Sequence, residues 1–140
     1  MIADGGGVIY WHSSAVLSTL FHDTHSEEAT ARARGPAIHL LSPLAWAEVH
    51  AVVARIERAR ALATVLVDAA REALESGPWR HVNAFPDWKL VQSLASRWPL
   101  RGADLWHLAT AKSLQIDLPE LTVLSFDARL ASAAQGEGLA

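Results

Sequence analysis

The sequence predicts an α/β domain with a short, mainly parallel central sheet flanked by helices. Three observations carry this. Short apolar runs bounded by turn residues alternate with helix-like stretches, the pattern of strands joined by crossover helices. Alanine dominates the apolar set, with 26 Ala against 19 Leu, 10 Val and 5 Ile, and alanine is the best helix former. The 140 residues are 51% hydrophobic and 19% charged, with no dividing linker. That implies one domain over 1–140, long enough for a sizeable core and too apolar for disorder.

The elements follow in order. Gly5-Gly6-Gly7 leads into Val8-Ile9-Tyr10-Trp11, a buried-strand pattern. Ser14 is positioned to cap a helix to about Phe21. Glu27 to Arg34 reads as a short helix stopped by Gly35-Pro36, and Ile38 to Leu41 as a second strand. Ser42-Pro43 supplies a cap and a first-turn proline for a helix to about Arg58. Another helix continues to Ser76, before Gly77-Pro78. His81 to Phe85 is a weak strand, and Pro86-Asp87 opens a helix ending near Pro99. Leu100 to Leu114 is helical, Thr122 to Phe126 a strand, and Ala128 to Gln135 the last helix.

Composition excludes several classes. There is no cysteine, so disulfides, thiolate catalysis and cysteine-ligated zinc are ruled out. The net charge of −3 gives no global signature for nucleic acid. The uncharged stretch from Gly5 to Phe21 holds three glycines, His12 and several serines, with no basic residues before it. It fits neither a signal peptide nor a membrane span, so a cytoplasmic protein is expected.

The candidate chemistry lies in the acids. Glu48 has Leu44, Ala51, Val52 and Arg55 at helical-neighbour spacing, which places it in an apolar stripe. Asp104 likewise neighbours Leu100, Arg101, His107, Leu108 and Ala111. A carboxylate facing a core is costly unless paired or metal-bound. A buried ion pair explains either acid alone equally well. His12 and Asp127 follow two predicted strands, and open parallel sheets bind ligands outside the carboxyl ends of their strands. Taken singly, Asp127 is better explained as the cap of the last helix. Four polar residues at one edge make a stronger case. Carboxylates about 4 Å apart repel by roughly 4 kcal/mol per pair at an effective dielectric near 20. Protonation, a basic partner or a divalent cation must offset that. Such a cleft is suited to metal-assisted phosphodiester hydrolysis.

These segments resemble those of the PIN-domain family, especially the VapC toxins of bacterial type II toxin–antitoxin systems. Tyr10-Trp11-His12-Ser13-Ser14-Ala15 resembles the first motif, and Leu44 to Ala51, with Arg55 beyond it, the second. Leu100 to Ala109 resembles the third motif most closely, and Leu124 to Leu130 the fourth. The resemblance spans nearly the whole chain in the family's order. It implies a PIN-like three-layer fold and an endoribonuclease using Mg²⁺ or Mn²⁺. It also implies RNA as substrate, restraint by an antitoxin protein, and a homodimer. Carried over by motif, Glu48, Asp104 and Asp127 are metal-site carboxylates and, with His12, the catalytic set. Ser13 and Ser14 shape the first loop and, with Arg55, are assigned to substrate.

The sequence departs from the family at His12, where an aspartate is usual, and it shows no closing strand after Gly138-Leu139. Imidazole ligates Mn²⁺ or Zn²⁺ but is a poor Mg²⁺ ligand, and beside acids it can carry a positive charge. The alternative to an active nuclease is therefore an inactive PIN-like module that binds RNA or a protein. A plain interaction domain with buried ion pairs is a third reading. His22 and His25 lack a third metal partner and read as loop residues, and no nucleophile elbow, P-loop or His-Glu-x-x-His is present. His107 reads as a packed neighbour of the site. Trp46 and Trp106 lie two positions from Glu48 and Asp104, about 200° around a helix, and so are expected to anchor the core or a partner.

Overall fold

The structure, a computed structural model, describes residues 7–140. Gly5 and Gly6 of the glycine lead-in lie outside the described residues. The first half runs β1 (Val8–Trp11), α1 (Ser13–Leu20), α2 (Ser26–Ala33), β2 (Ile38–Leu41) and α3 (Pro43–Arg58). The second half runs α4 (Thr64–Glu75), β3 (Trp79–His81), α5 (Trp88–Arg97), α6 (Gly102–Gln115), β4 (Leu121–Leu124) and α7 (Ala128–Gly136). The strands form one sheet in the order β3-β2-β1-β4, and each adjacent pair is parallel.

The alternation of apolar side chains explains the layers. All four residues of β1 are buried, as a strand covered on both faces requires. Val8 and Tyr10 face a core with Leu94, Leu108 and Leu130 of α5, α6 and α7. Ile9 and Trp11 face the other way, onto Val16, Ala29, Val49 and Leu74 of α1 to α4. Three layers result. Register runs from Val8 opposite Leu121 to Trp11 opposite Leu124, which brings the carboxyl ends of β1 and β4 side by side.

Three local readings are corrected. The weak strand expected at His81 to Phe85 lies at Trp79–His81, because Trp79 packs edge-on against Trp11 at 4.9 Å and anchors the strand just after Gly77-Pro78. The cap of α1 is His12 rather than Ser14, whose hydroxyl instead accepts the Phe126 N–H. Glu48 is not in the apolar stripe of α3. Ala45, Val49 and Val53 form that stripe, and Glu48 sits one position off it, half-exposed.

The end of α7 is fastened by a buried carboxylate. Glu137 accepts from Arg97 Nη1 at 2.6 Å and Trp98 Nε1 at 2.8 Å, and Lys112 Nζ stands 3.6 Å from its other oxygen. A Cβ at Gly136 would collide with the Trp98 indole, so the approach requires glycine. Burial alone pushes the Glu137 carboxyl up. The Trp98 hydrogen bond and the Arg97 and Lys112 charges outweigh it and hold the group below its ordinary value. A depressed acid contributes its stability above its unfolded pKa, about 4.3, and loses it as pH falls through the folded value. Glu137→Gln should therefore cost about 1–2 kcal/mol near neutrality. It should also flatten the acid limb of a pH series of urea unfolding. An unchanged acid limb would contradict the assignment.

Candidate active site

The first wall is built where β1 and β4 end. The His12 N–H donates to Leu124 O at 3.0 Å, extending the ladder by one residue. His12 then caps α1, its Nδ1 accepting the Ser14 N–H. That nitrogen also lies 2.8 Å from Ser14 Oγ and 3.1 Å from Ser125 Oγ. Ser14 Oγ in turn accepts the Phe126 N–H at 2.9 Å, so two short polar links, His12 to Ser125 and Ser14 to Phe126, fix the loop after β4 to the start of the first helix.

Two helices bring the rest. Ser42 Oγ accepts the Ala45 N–H and Pro43 opens the first turn, so α3 starts beside the sheet edge with Glu48 in its second turn. Helix α6 carries Asp104 in its first turn and His107 one turn later on the same face. His12 Nε2 lies 3.1 Å from Asp104 Oδ1, and His107 Nε2 lies 2.6 Å from Glu48 Oε1. The other His107 nitrogen shares a 2.7 Å hydrogen bond with the Tyr10 hydroxyl. The two imidazoles stand nearly perpendicular, with centroids 5.2 Å apart.

Burial sets the charges. It pushes the His12 imidazole below its ordinary value, and the neighbouring His107 adds to this. Asp104 and Glu48 pull it back only in part. At neutral pH His12 is therefore an uncharged base, not the cation that neighbouring acids alone suggest. With Nδ1 accepting the Ser14 N–H, its Nε2–H donates to Asp104. Partial burial pushes Glu48 up, but the His107 hydrogen bond and the facing imidazoles bring it below the usual carboxylate range. Burial raises the Tyr10 hydroxyl well above its ordinary value, so it stays protonated.

The expected residues are distributed unevenly. His12, Glu48 and Asp104 meet at the sheet edge. Asp127 shares a cleft of about 400 Å³ with Arg101, Asp104 and Arg129, while its Oδ1 caps α7 through the Arg129 and Leu130 amides. Both the cap reading and the cleft reading of Asp127 are realised. Ser13 is buried beside Glu48, and Ser14 braces the loop. Arg55 is exposed, two turns along α3 from Glu48, and is not brought into the cluster. The residues that sequence reasoning undervalued are His107, fully buried against Glu48, and its partner Tyr10. The signal for His107 was its position three after Asp104. Trp106 also touches the His107 ring edge-on at 5.6 Å, although its own flank lines a groove with Phe85, Trp88 and Val91.

The PIN domain family's sequence model matches residues 9–136, which include every residue of this cluster. The chain belongs to the PIN domain family. A similar solved structure is VapC20 of Mycobacterium tuberculosis, described as a toxin that cleaves the sarcin–ricin loop. It shares 16% identity and a TM-score of 0.56, over 89% of this chain and 94% of that one. A search of curated proteins returned no match.

Within this PIN domain the donor set decides which divalent ion would fit. Among the described residues, the group whose donor atoms lie within 4.8 Å of one another is His12, Glu48 and His107. Mg²⁺ requires a near-octahedral oxygen shell. Here two of three donors are imidazoles, and Glu48 Oε1 and Asp104 Oδ1 each face an imidazole nitrogen. The set does not fit Mg²⁺. It fits a borderline divalent ion such as Mn²⁺ or Zn²⁺.

Proposed function

We propose that this PIN domain is a VapC-like ribonuclease toxin that hydrolyses RNA phosphodiesters and is restrained by an antitoxin protein. The observation that carries the reading is the meeting of His12, Glu48 and Asp104, from three separate segments, at the carboxyl edge of one parallel sheet, with Asp127 in the cleft that Asp104 also lines. Arg101 and Arg129 line the cleft beside Asp104 and Asp127, where they can meet phosphate oxygens. Asp104 presents negative charge in the cleft and Glu48 does so at the adjoining sheet edge, and His12 and His107 hold one oxygen of each in place. Asp127 keeps the β4 loop in register through its cap of α7. A divalent ion bound there would lower the pKa of a water nucleophile and offset charge on the leaving oxygen.

The site suits RNA more than a small apolar ligand, because the cleft is open and bounded by charges. Exposed Phe85 and Trp88 beside Trp106 form an apolar groove of about 320 Å³, a surface suited to an antitoxin or to a second copy of the chain. No helix among the described residues is long and apolar enough to cross a membrane. A cytoplasmic location is part of the proposal. A second reading, an inactive RNA- or protein-binding module, is favoured by the imidazole at position 12.

The deciding assay incubates the chain with structured RNA and either Mg²⁺ or Mn²⁺, beside a Glu48→Ala control. Cleavage by the parent, lost in the control, is expected. Parent and control equally inert with both ions would overturn the enzyme reading and leave the binding module.

A further inference from the structure

We propose that His12, Glu48 and His107 form a transition-metal site that takes Zn²⁺ or its first-row neighbours in strong preference to Mg²⁺. This deepens the proposed function, since it assigns the ion class of the same cleft. The argument starts from the cluster's geometry. Three donor atoms from β1's end, α3 and α6 lie within 4.8 Å of one another, two of them imidazole nitrogens. Asp104 Oδ1 lies 3.1 Å from His12 and adds a second carboxylate at the rim. Two imidazoles with a carboxylate are the donors that zinc and its neighbours favour, and that Mg²⁺ leaves for water.

The surroundings of each imidazole support the assignment. A ligating histidine must carry its proton on the nitrogen away from the metal, and that proton needs an acceptor. Here the outer nitrogen of His107 meets the Tyr10 hydroxyl, and that of His12 meets the hydroxyls of Ser14 and Ser125. A hydroxyl both donates and accepts. His107 can therefore turn its Nε2 lone pair to the ion without stranding a buried proton, and His12 can do the same by moving its proton to Nδ1, where the Ser125 hydroxyl accepts it in place of the long 3.4 Å bond from the Ser14 N–H. His107 has no exposure and His12 almost none, so the ion would rest on a rigid, dry floor and reach solvent only past Glu48 and Asp104.

The test uses the full chain and Co²⁺ as a spectroscopic probe. One equivalent of Co²⁺ should give d–d absorption bands of nitrogen–oxygen ligation, and equimolar Zn²⁺ should abolish them. A hundredfold excess of Mg²⁺ should leave them in place. His12→Asn, which removes the imidazole without adding a charge, should weaken cobalt binding by roughly tenfold or more. Asparagine is itself a good helix cap, so the fold of this variant is expected to survive. Thermal melting checks that, and Glu48→Gln gives a second ligand removal. Three results would each overturn the proposal: no cobalt binding, displacement by Mg²⁺ at comparable concentration, or unchanged binding in both variants. The last would put the ion on other histidines. RNA cleavage is scored separately. Cleavage with Mg²⁺ and no cobalt site would reject the ion assignment but keep the nuclease. A cobalt site without cleavage by any metal would do the reverse.

Discussion

Glu48→Gln should reduce RNA cleavage by about 10²–10³-fold while leaving the melting temperature within a few degrees of the parent. The substitution keeps the shape of the side chain, and the amide oxygen can still accept the His107 Nε2–H that Glu48 Oε1 now receives at 2.6 Å. What it removes is a negative charge beside His12 and His107. Charge stabilisation of this kind is worth several kcal/mol in a phosphodiester transition state, and each ~1.4 kcal/mol is a decade in rate. Glu48 is half-exposed at the edge of its helix stripe, so solvent limits what its ionised form adds to folding and the melt should shift by only a few degrees. Single-turnover cleavage of a structured RNA, paired with a thermal melt, separates the two effects. Retained cleavage would remove Glu48 from the catalytic set. Lost cleavage with a large drop in melting temperature would reassign it to structure.

Trp11→Ala should destabilise the chain by about 4 kcal/mol, or roughly 15 °C in melting temperature. Trp11 is fully buried in the central strand, against Val16, Val49 and Trp79. Its Nε1–H donates to His39 Nδ1 at 3.0 Å. The tautomer follows from the other side of that ring, where Nε2–H donates to the Gly35 carbonyl at 3.2 Å, leaving Nδ1 an acceptor. Alanine would open a cavity and also strip that acceptor of its donor. Trp11→Phe separates the terms, because it keeps most of the apolar volume and loses only the hydrogen bond, a cost of about 1–2 kcal/mol. Urea unfolding of both variants would show this. Equal losses would mean that packing contributes nothing beyond the polar contact.

Much of this was legible in the residues. Val8-Ile9-Tyr10-Trp11 reads as a doubly buried strand because nothing polar interrupts it, and it lies at the centre of the sheet. Ser42-Pro43 announces α3 by cap chemistry, and both ends of that helix fall where expected. Three of the four motif residues converge because short parallel strands leave their successors at one edge. The illegible part is what depends on tertiary partners. His107 reads as core, and it is core. Its function-bearing nitrogen is defined only by Glu48, 59 positions away. Likewise the fastening of Glu137 to Arg97, Trp98 and Lys112 joins residues with no shared periodicity.

The order of the strands has a consequence during synthesis. The central strand is the first to be made, yet its neighbour β4 begins at Leu121. Until that segment has left the ribosome, β1 has one bare edge and His12 has neither its Leu124 nor its Ser125 partner. Non-local pairings of this kind close late and slowly. Glu48 meets His107 only once α6 exists. A nascent chain is thus chemically blank until the segment through Ser125 has been made. For a domain proposed to cut RNA, this delays the cutting chemistry until β4 and the loop after it have emerged.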